Sequence, residues 1–330
     1  MARSDGPDRQ AENRSAQVVT VDAEEQARRL DNFLLGRLKG VPRAHVYRII
    51  RSGEVRVNSR RAGPQQRLQA GDKVRIPPIR TAPGVEGRAL GPGGAAWIEQ
   101  RVLYEDTDLL VLDKPAGLAV HGGSGVSLGA IELLRAARPG AESLGLVHRL
   151  DRETSGCLLV AKRRTSLRHL QAQFRDGNVR KVYLALMLGK LEGGGRLVDA
   201  PLFTAERRGG ERHVRVDSAG KPSQTRFEVQ ERLPGATLTR AVLLTGRTHQ
   251  IRVHAAHLGL PLAGDSRYGS ESGALARQCG LRRLFLHAAQ LEFVSPSDGR
   301  RIRVDSPLPD ELAGVLERLR QQPDGKVEGA

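Results

Sequence analysis

The feature that most constrains the fold is a series of short strand-like segments after Trp97. They span residues 102–120 (with turns at 105–108 and 114–117), 157–162, 181–189, 225–233, 236–246, 284–293 and 301–307. Helical patterns are fewer, at residues 130–138, 167–174, 249–259 and 309–322. Because strands and helices do not alternate in a βαβ rhythm, we predict an α+β fold with a mostly antiparallel sheet for this part of the chain.

The segment before it predicts a smaller domain at residues 28–80. Apolar residues recur at helical spacing over 29–38. A second helix is predicted over 43–53, because a proline suited to a first helical turn precedes it and a glycine ends it. Strands are predicted at 54–58 and 71–78, with a turn after the first. The expected domain is therefore a helix pair with a small sheet.

This small domain holds most of the net charge. Residues 28–80 contain 14 Lys and Arg against 3 Asp and Glu, a net +11 out of +16 for the whole chain. A clustered excess of this kind favours a polyanionic partner, and nucleic acid is the usual one. The alternative is a small basic domain that binds a protein.

The remaining segments suggest domain boundaries. Residues 81–96 are rich in Gly, Pro and Ala, a composition typical of linkers. We therefore expect domains at 28–80 and 97–315, joined by that linker. Disordered tails are predicted at 1–17 and 321–330.

The composition also bears on the compartment. The two cysteines, Cys157 and Cys279, are far apart and show no metal-ligand spacing, which suits a reducing cytoplasm. The N-terminus has no apolar core of a secretory signal, and no apolar run approaches the ~20 residues needed to span a bilayer. A cytoplasmic protein without a membrane segment is the expectation.

A charged cluster runs directly into an apolar segment at residues 147–162, VHRLDRETSGCLLVAK. An acid in a loop that feeds a central strand is held rigidly, as a catalytic group must be. A buried carboxylate stays ionised only beside a cation or several donors. Asp151 should therefore have an arginine directed at it. The alternative is an ordinary exposed cluster of ion pairs, which is common on protein surfaces.

A second polar cluster, LLTGRTHQIRVHAAHLG, runs from a strand through a glycine turn into a helix. Arg247 and Arg252 lie on opposite sides of the turn, and the helix N-terminus adds positive potential. His249, His254 and His257 offer an alternative as metal ligands, but no HExxH spacing supports it.

A third motif, GVSLG at 125–129, matches the nucleophile elbow of serine hydrolases, with Asp151 and His249 following in hydrolase order. An elbow requires a strand that runs directly into the serine, and here glycines precede Ser127. A serine hydrolase therefore stays a lesser alternative.

These motifs together resemble one enzyme family. HRLDRETSG at 148–156 is similar to the signature of the RluA-type pseudouridine synthases, and residues 181–189, 243–254 and 284–293 resemble its companion motifs in the same order. Residues 28–80 resemble the S4-like RNA-binding domain found in the large-subunit synthase C branch of that family. The resemblance spans residues 20–315.

The resemblance implies roles for individual residues. The signature aspartate, the catalytic residue of the family, is Asp151 here. The family's active-site tyrosine is Tyr183, and the arginine that pairs with the aspartate is Arg252. Arg149, two residues before the aspartate, is expected to help displace the target base. The residues expected to hold RNA on the small domain are Arg43, Arg48 and Arg51.

The implied reaction is isomerisation of uridine to pseudouridine in large-subunit (23S) ribosomal RNA. The N1–C1′ bond breaks, the uracil turns and C5 joins C1′, so neither a cofactor nor a metal is expected. Asp151 would attack C1′ or remove the 2′ proton. Tyr183 would stack on the base and assist loss of the C5 proton, but its ordinary pKa near ~10 leaves a structural role open. The expected partner is ribosomal RNA, free or in assembling particles, and the expected state is a monomer. A non-catalytic RNA-binding or ribosome-assembly factor is the alternative.

Overall fold

The computed structural model describes residues 16–38, 41, 43–78, 95–122, 128–141, 143–206, 212–269 and 279–322. The chain forms two compact units, residues 1–90 and 91–330. The predicted tails and linker lie almost wholly outside the described residues. At their described margins, the first strand begins at Gln17, and Ala95 is already buried in the second unit. The first unit thus includes a strand before the predicted domain start at residue 28, and the second unit includes Ala95, before the predicted start at 97. The other boundaries stay predictions.

The first unit combines two helices with a four-stranded antiparallel sheet. Its elements are β1 (Gln17–Thr20), α1 (Leu30–Arg37), α2 (Arg43–Arg51), β2 (Arg56–Val57), β3 (Arg60–Arg61) and β4 (Lys73–Ile76), with sheet order β1-β4-β2-β3. The apolar faces of both helices are buried with the inward residues of the sheet, among them Phe33, Ile49 and Val74. The predicted turn after β2 is a two-residue hairpin, since Asn58 and Ser59 both adopt positive φ.

The second unit is built on one large mixed sheet. Within the described residues the sheet has ten strands in the order β10-β13-β14-β9-β15-β8-β6-β5, with β16 beside β15 and β7 beside β8. The strands are β5 (Val102–Glu105), β6 (Leu109–Lys114), β7 (Gly145–Leu146), β8 (Ser155–Ala161), β9 (Arg180–Leu188), β10 (Gly195–Asp199), β13 (Gln224–Leu233), β14 (Ala236–Leu243), β15 (Leu286–Val294) and β16 (Arg301–Asp305). A separate hairpin is formed by β11 (Leu202–Glu206) and β12 (Arg212–Val216).

Four α-helices complete the second unit as described: α3 (Ala130–Ala137), α4 (Arg164–Arg175), α5 (Gln250–His257) and α6 (Asp310–Arg320). A 3₁₀ helix covers Ala96–Arg101. All strand pairs of the large sheet are antiparallel except β8 with β15, which is parallel. The predicted α+β class with a mostly antiparallel sheet is thus confirmed. The sequence did not predict β1, β3, β7, β10, β11 and β12. No helix in the described part is long and apolar enough to cross a membrane.

The central strands β6 and β8 are buried on both faces, which explains their continuous apolar sequence. Along β8, Leu158 and Val160 face one apolar cluster, and Cys157 and Leu159 face another on the opposite side. A strand covered on both sides needs apolar residues at every position, so the apolar segment that follows the charged cluster lies at the centre of the unit.

The start of β8 depends on a glycine. Gly156 has φ +104°, and a Cβ there would lie 2.3 Å from the carbonyl oxygen of Ala288 on the parallel strand β15. No other residue fits this close approach without moving the backbone. The glycine therefore fixes β8, and the charged loop before it, against the centre of the sheet.

Candidate active site

The charged loop between β7 and β8 leaves the sheet at His148. Backbone pairing with β8 ends at Val147, and the Nε2 atom of His148 then accepts the Leu159 N–H at 3.0 Å. The ring stacks on Phe174, with centroids 4.6 Å apart. Burial, together with the nearby Lys181 charge, lowers the pKa of His148 to about 3. A neutral imidazole thus takes the place of a backbone acceptor at the point where the chain turns toward Asp151.

The other end of the loop is fixed by Lys114, a fully buried residue that sequence reasoning missed. Its Nζ donates to the carbonyl oxygens of Pro115, Leu118 and Arg152 at 2.8–3.1 Å. Arg152 and Gly117 also exchange two hydrogen bonds. Burial lowers the pKa of Lys114 to about 7. The loop that holds Asp151 is therefore rigid, as its position before a central strand predicted.

Asp151 lies in a cavity of about 610 Å³. Its Oδ2 is 3.8 Å from Nη1 of Arg252 and 3.8 Å from Nε2 of His249. The structure thus brings an arginine to Asp151, as the sequence predicted. The cavity is also lined by Arg149, Tyr183 and Lys181, and by residues 243–252 around the turn before α5.

Arg252 has a second and closer acidic partner that the sequence did not predict. Its Nε and Nη2 donate to the two carboxylate oxygens of Asp265, both at 2.7 Å, and Asp265 is fully buried. Burial opposes the charge of both groups, but the mutual pairing prevails: it raises the pKa of Arg252 and lowers the pKa of Asp265. Asp265 holds one edge of the guanidinium, and the remaining Nη1 faces Asp151.

Two aromatic side chains complete this network. Tyr268 lies beneath the Arg252 guanidinium, 5.1 Å from its carbon to the ring centroid. The Tyr268 hydroxyl is 2.7 Å from Nδ1 of His249. His249 adopts a left-handed backbone conformation (φ 54°) at the start of α5, and burial lowers its pKa. Asp265 and Tyr268 come from GDSRYG, a segment whose single acid and lone tyrosine give no periodic or metal-ligand signal in the sequence.

Tyr183 lies on β9, is 8% exposed and lines the cavity. Burial, and after it the charge of Asp151, raises the pKa of its hydroxyl. A tyrosine with a raised pKa is a poor proton donor or acceptor near neutral pH, which favours the stacking role over proton abstraction. Arg149 also lines the cavity, is exposed, and makes no ion pair with any described residue.

The described residues bear on the metal-site alternative at the histidines but not on the serine-hydrolase alternative at GVSLG. His254 is buried, with Nδ1 2.9 Å from Thr225 Oγ1 and Nε2 3.0 Å from the Ala200 carbonyl oxygen, so both nitrogens hold α5 to its surroundings. No cluster of metal-ligating side chains occurs in the part of the chain that the structure describes. Ser127 lies outside the described residues.

The predicted RNA-binding arginines lie on α2 of the first unit. Arg48 and Arg51 are exposed, and Arg48 is 3.7 Å from Glu54. Arg43 is the first residue of this helix, and its side chain lies outside what the structure describes.

Both units are similar to known protein families. Residues 28–74 match the S4 domain family, and residues 108–257 match the RNA pseudouridylate synthase family. The chain is 50% identical to ribosomal large subunit pseudouridine synthase C of Escherichia coli (strain K12) over 319 residues, covering 94% of this chain and 98% of that protein. The same enzyme of Yersinia pestis is 50% identical over 311 residues, 94% and 97% of the two chains. The solved structure of human RNA pseudouridylate synthase domain containing 4 is 26% identical, with a TM-score of 0.58, and covers 70% of this chain and 97% of that one.

Proposed function

The chain belongs to the RNA pseudouridylate synthase family, and from this premise we propose that it isomerises uridine to pseudouridine in large-subunit ribosomal RNA. The single observation that supports this most is a carboxylate in a cavity, Asp151, with the immobilised Arg252 at 3.8 Å. A non-catalytic RNA-binding protein would have no need for an acid held between a rigid loop and a buried guanidinium.

The proposed reaction uses Asp151 as a carboxylate. It attacks C1′ of the target ribose or removes the 2′ proton, and in both routes the N1–C1′ bond breaks. Arg252 favours the ionised form of Asp151, because an opposite charge at this distance stabilises a carboxylate. Asp265 keeps the guanidinium in place, so no reorganisation is required when the bond breaks.

The target base must first leave its stack, at a cost on the order of a few kcal/mol. Arg149 is suited to occupy the vacated position, since it is exposed at the cavity and free of ion pairs with the described residues. Tyr183, buried beside the site, then supports the flipped base by stacking. Arg48, Arg51 and Arg43 on α2 would hold the RNA through its phosphates.

The proposal also extends to the cellular setting. Asp151, Tyr183, Arg252 and Asp265 all come from one chain, which supports a monomer as the proposed active form. The cytoplasm is the proposed compartment, where ribosomal RNA would be met free or in assembling particles.

Transcribed large-subunit rRNA, treated with the enzyme and mapped for pseudouridine, tests this function. We expect Asp151→Asn to bind RNA normally and to lose more than about 10³-fold in rate, because the substitution removes the reacting charge and little else. Asp298→Asn, in an exposed turn far along the chain, is the control and should retain full activity. Turnover above a few per cent in Asp151→Asn would remove that residue from the catalytic role, and an inactive wild-type protein would refute the function.

A further inference from the structure

The cavity contains a second buried cation that the reaction described above does not use. Lys181, on β9, is 6% exposed and lines the cavity. Its ammonium group makes no hydrogen bond or ion pair with any of the described residues, and Nζ lies 5.9 Å from the centroid of the Phe174 ring. Every side-chain nitrogen or oxygen atom that is itself buried among the described residues has a hydrogen-bond partner, so the Lys181 ammonium, which has none, opens onto the cavity. Holding a mostly buried lysine with its charge unpaired at a cavity is costly, which suggests a function.

Lys114 shows how the same protein treats a structural lysine. Its Nζ is fully buried and donates to three backbone carbonyl oxygens. The hydrogen-bonding capacity of Lys114 is thus filled by the protein. Lys181 keeps its three donors available at the cavity, which suggests that the acceptor comes with the substrate.

The position of Lys181 indicates which part of the substrate it meets. Residues two apart on a strand face the same side, so Lys181 lies on the same face of β9 as Tyr183, the residue expected to stack on the base. Burial lowers the pKa of Lys181, and no carboxylate offsets this effect. Asp151 is the residue expected to react with the ribose. Lys181 lies on the same strand face as Tyr183, the residue expected to stack on the base.

We propose that Lys181 donates a hydrogen bond to a carbonyl oxygen of the target uracil and stabilises the negative charge on the base as the N1–C1′ bond breaks. This inference rests on the proposed function. In both routes open to Asp151 the electron pair of that bond stays with the uracil, delocalised over N1, O2 and O4. Lys181 keeps its proton and only donates a hydrogen bond. C5 then bonds to C1′, as the Asp151–C1′ bond breaks in the first route or as Asp151 returns the proton to C2′ in the second. The C5 proton leaves and N1 takes up a proton, so the product is an isomer of the substrate.

Lys181→Met tests the charge with little change of volume. Removal of a preorganised donor to a developing anion costs about 10²–10³ in kcat, so we expect a loss of about 10²-fold in the single-turnover rate at saturating rRNA fragment. The Kd for the RNA should change little. Lys190→Met is the matched control, because Lys190 is an exposed lysine paired with Glu192. Lys181→Arg keeps the charge and should recover part of the rate.

The thermal midpoint separates this role from a structural one. Because the ammonium makes no hydrogen bond or ion pair with the described residues, Lys181→Met should leave Tm unchanged or raise it. A fall in Tm that accompanies the loss of rate would overturn the proposal, as would a rate within threefold of wild type. An inactive wild-type protein would instead reject the proposed function itself.

Substituted RNA identifies the oxygen. A target uridine carrying sulfur in place of the oxygen at C2 or C4 accepts a weaker hydrogen bond. One of these two substituted RNAs should react more slowly with the wild type. The same RNA should cause no further loss of rate in Lys181→Met. If that non-additivity appears instead with a phosphorothioate next to the target uridine, Lys181 binds a phosphate and the base-oxygen proposal is wrong.

Discussion

Arginine is placed in two different environments in the two units. Arg48 on α2 is 61% exposed and has an acid at 3.7 Å, a loose pair in water. Arg252 on α5 is 10% exposed and is held by two 2.7 Å hydrogen bonds to a fully buried aspartate. An exposed guanidinium stabilises the fold little but remains free to meet phosphates, whereas a buried one has a fixed position and cannot leave its partner.

The difference separates two properties of the arginines: how many of them a unit contains, and how the fold places each one. The first unit needs many cations on a surface, and their individual positions matter little to long-range attraction. The second unit needs few cations, each placed to within a fraction of an ångström beside a reacting group. Substitutions at matched buried and exposed sites test whether burial alone accounts for this contrast.

The largest effect is expected at the buried pair. Arg252→Ala should lower the free energy of unfolding by ~3–5 kcal/mol, because it removes the guanidinium that neutralises the buried charge of Asp265. Combined with Asp265→Asn, the two losses should be strongly non-additive, whereas combination with Asp151→Asn should show weaker coupling. Urea unfolding can be followed by the fluorescence of Trp97, the sole tryptophan of the chain, which lies in the second unit.

Arg320 and Glu231 supply the matched control for that cycle. They form the same bidentate geometry at 2.7 and 2.8 Å, but both side chains are about a third to a half exposed. Their coupling should lie within ~0–1 kcal/mol. Equal coupling in the two cycles would show that geometry, and not burial, separates the two kinds of arginine.

A smaller effect is expected at His148, a basic side chain kept neutral by burial. Its pKa is about 3 in the folded protein and ~6.5 when unfolded, so the unfolded state binds more protons between these values. The contribution of neutral His148 to the free energy of unfolding is fully present above about pH 6.5. It is lost as the pH falls toward 3, by up to about 1.4 kcal/mol per pH unit.

His148→Gln isolates this effect, because glutamine can still accept the Leu159 N–H but does not titrate. Urea unfolding between pH 7.5 and 4.5 gives the stability of both proteins. The wild type should lose stability relative to the variant as the pH falls. A difference independent of pH would mean that the ring becomes protonated in the folded protein without cost.

The smallest effect on the chemistry is expected on the first unit. Arg48→Gln with Arg51→Gln should reduce the salt dependence of rRNA binding by about 0.7 for each phosphate that the variant no longer neutralises. The single-turnover rate at saturating RNA should stay within about twofold. Arg303→Gln with Arg320→Gln removes two exposed charges from the second unit and serves as the control. An unchanged slope in the α2 variant would place the RNA elsewhere.

The fold was predictable from sequence where the pattern is long and repeated. The predicted strands and helices of the second unit are present, except that residues 118–120 form no strand, because buried strands and amphipathic helices have apolar patterns of their own. Strand β7 has two residues and β10 is mostly exposed, so their pairing depends on a neighbouring strand and leaves little trace in the sequence. The same holds for the hairpin of β11 and β12, which pair only with each other among the described strands.

The site divides in the same way. The sequence by itself determined the net charge of the first unit, the charged loop before a central strand, and Asp151, Tyr183 and Arg252 as candidates. Only the tertiary structure decided that Asp265 holds Arg252, that Lys114 fixes the loop, and that the Lys181 ammonium makes no hydrogen bond or ion pair with the described residues. Charge and periodicity are sums over neighbouring residues, which a sequence contains. Burial and pairing depend on residues 13 to 38 positions away in the chain, and these meet only when the sheet has formed.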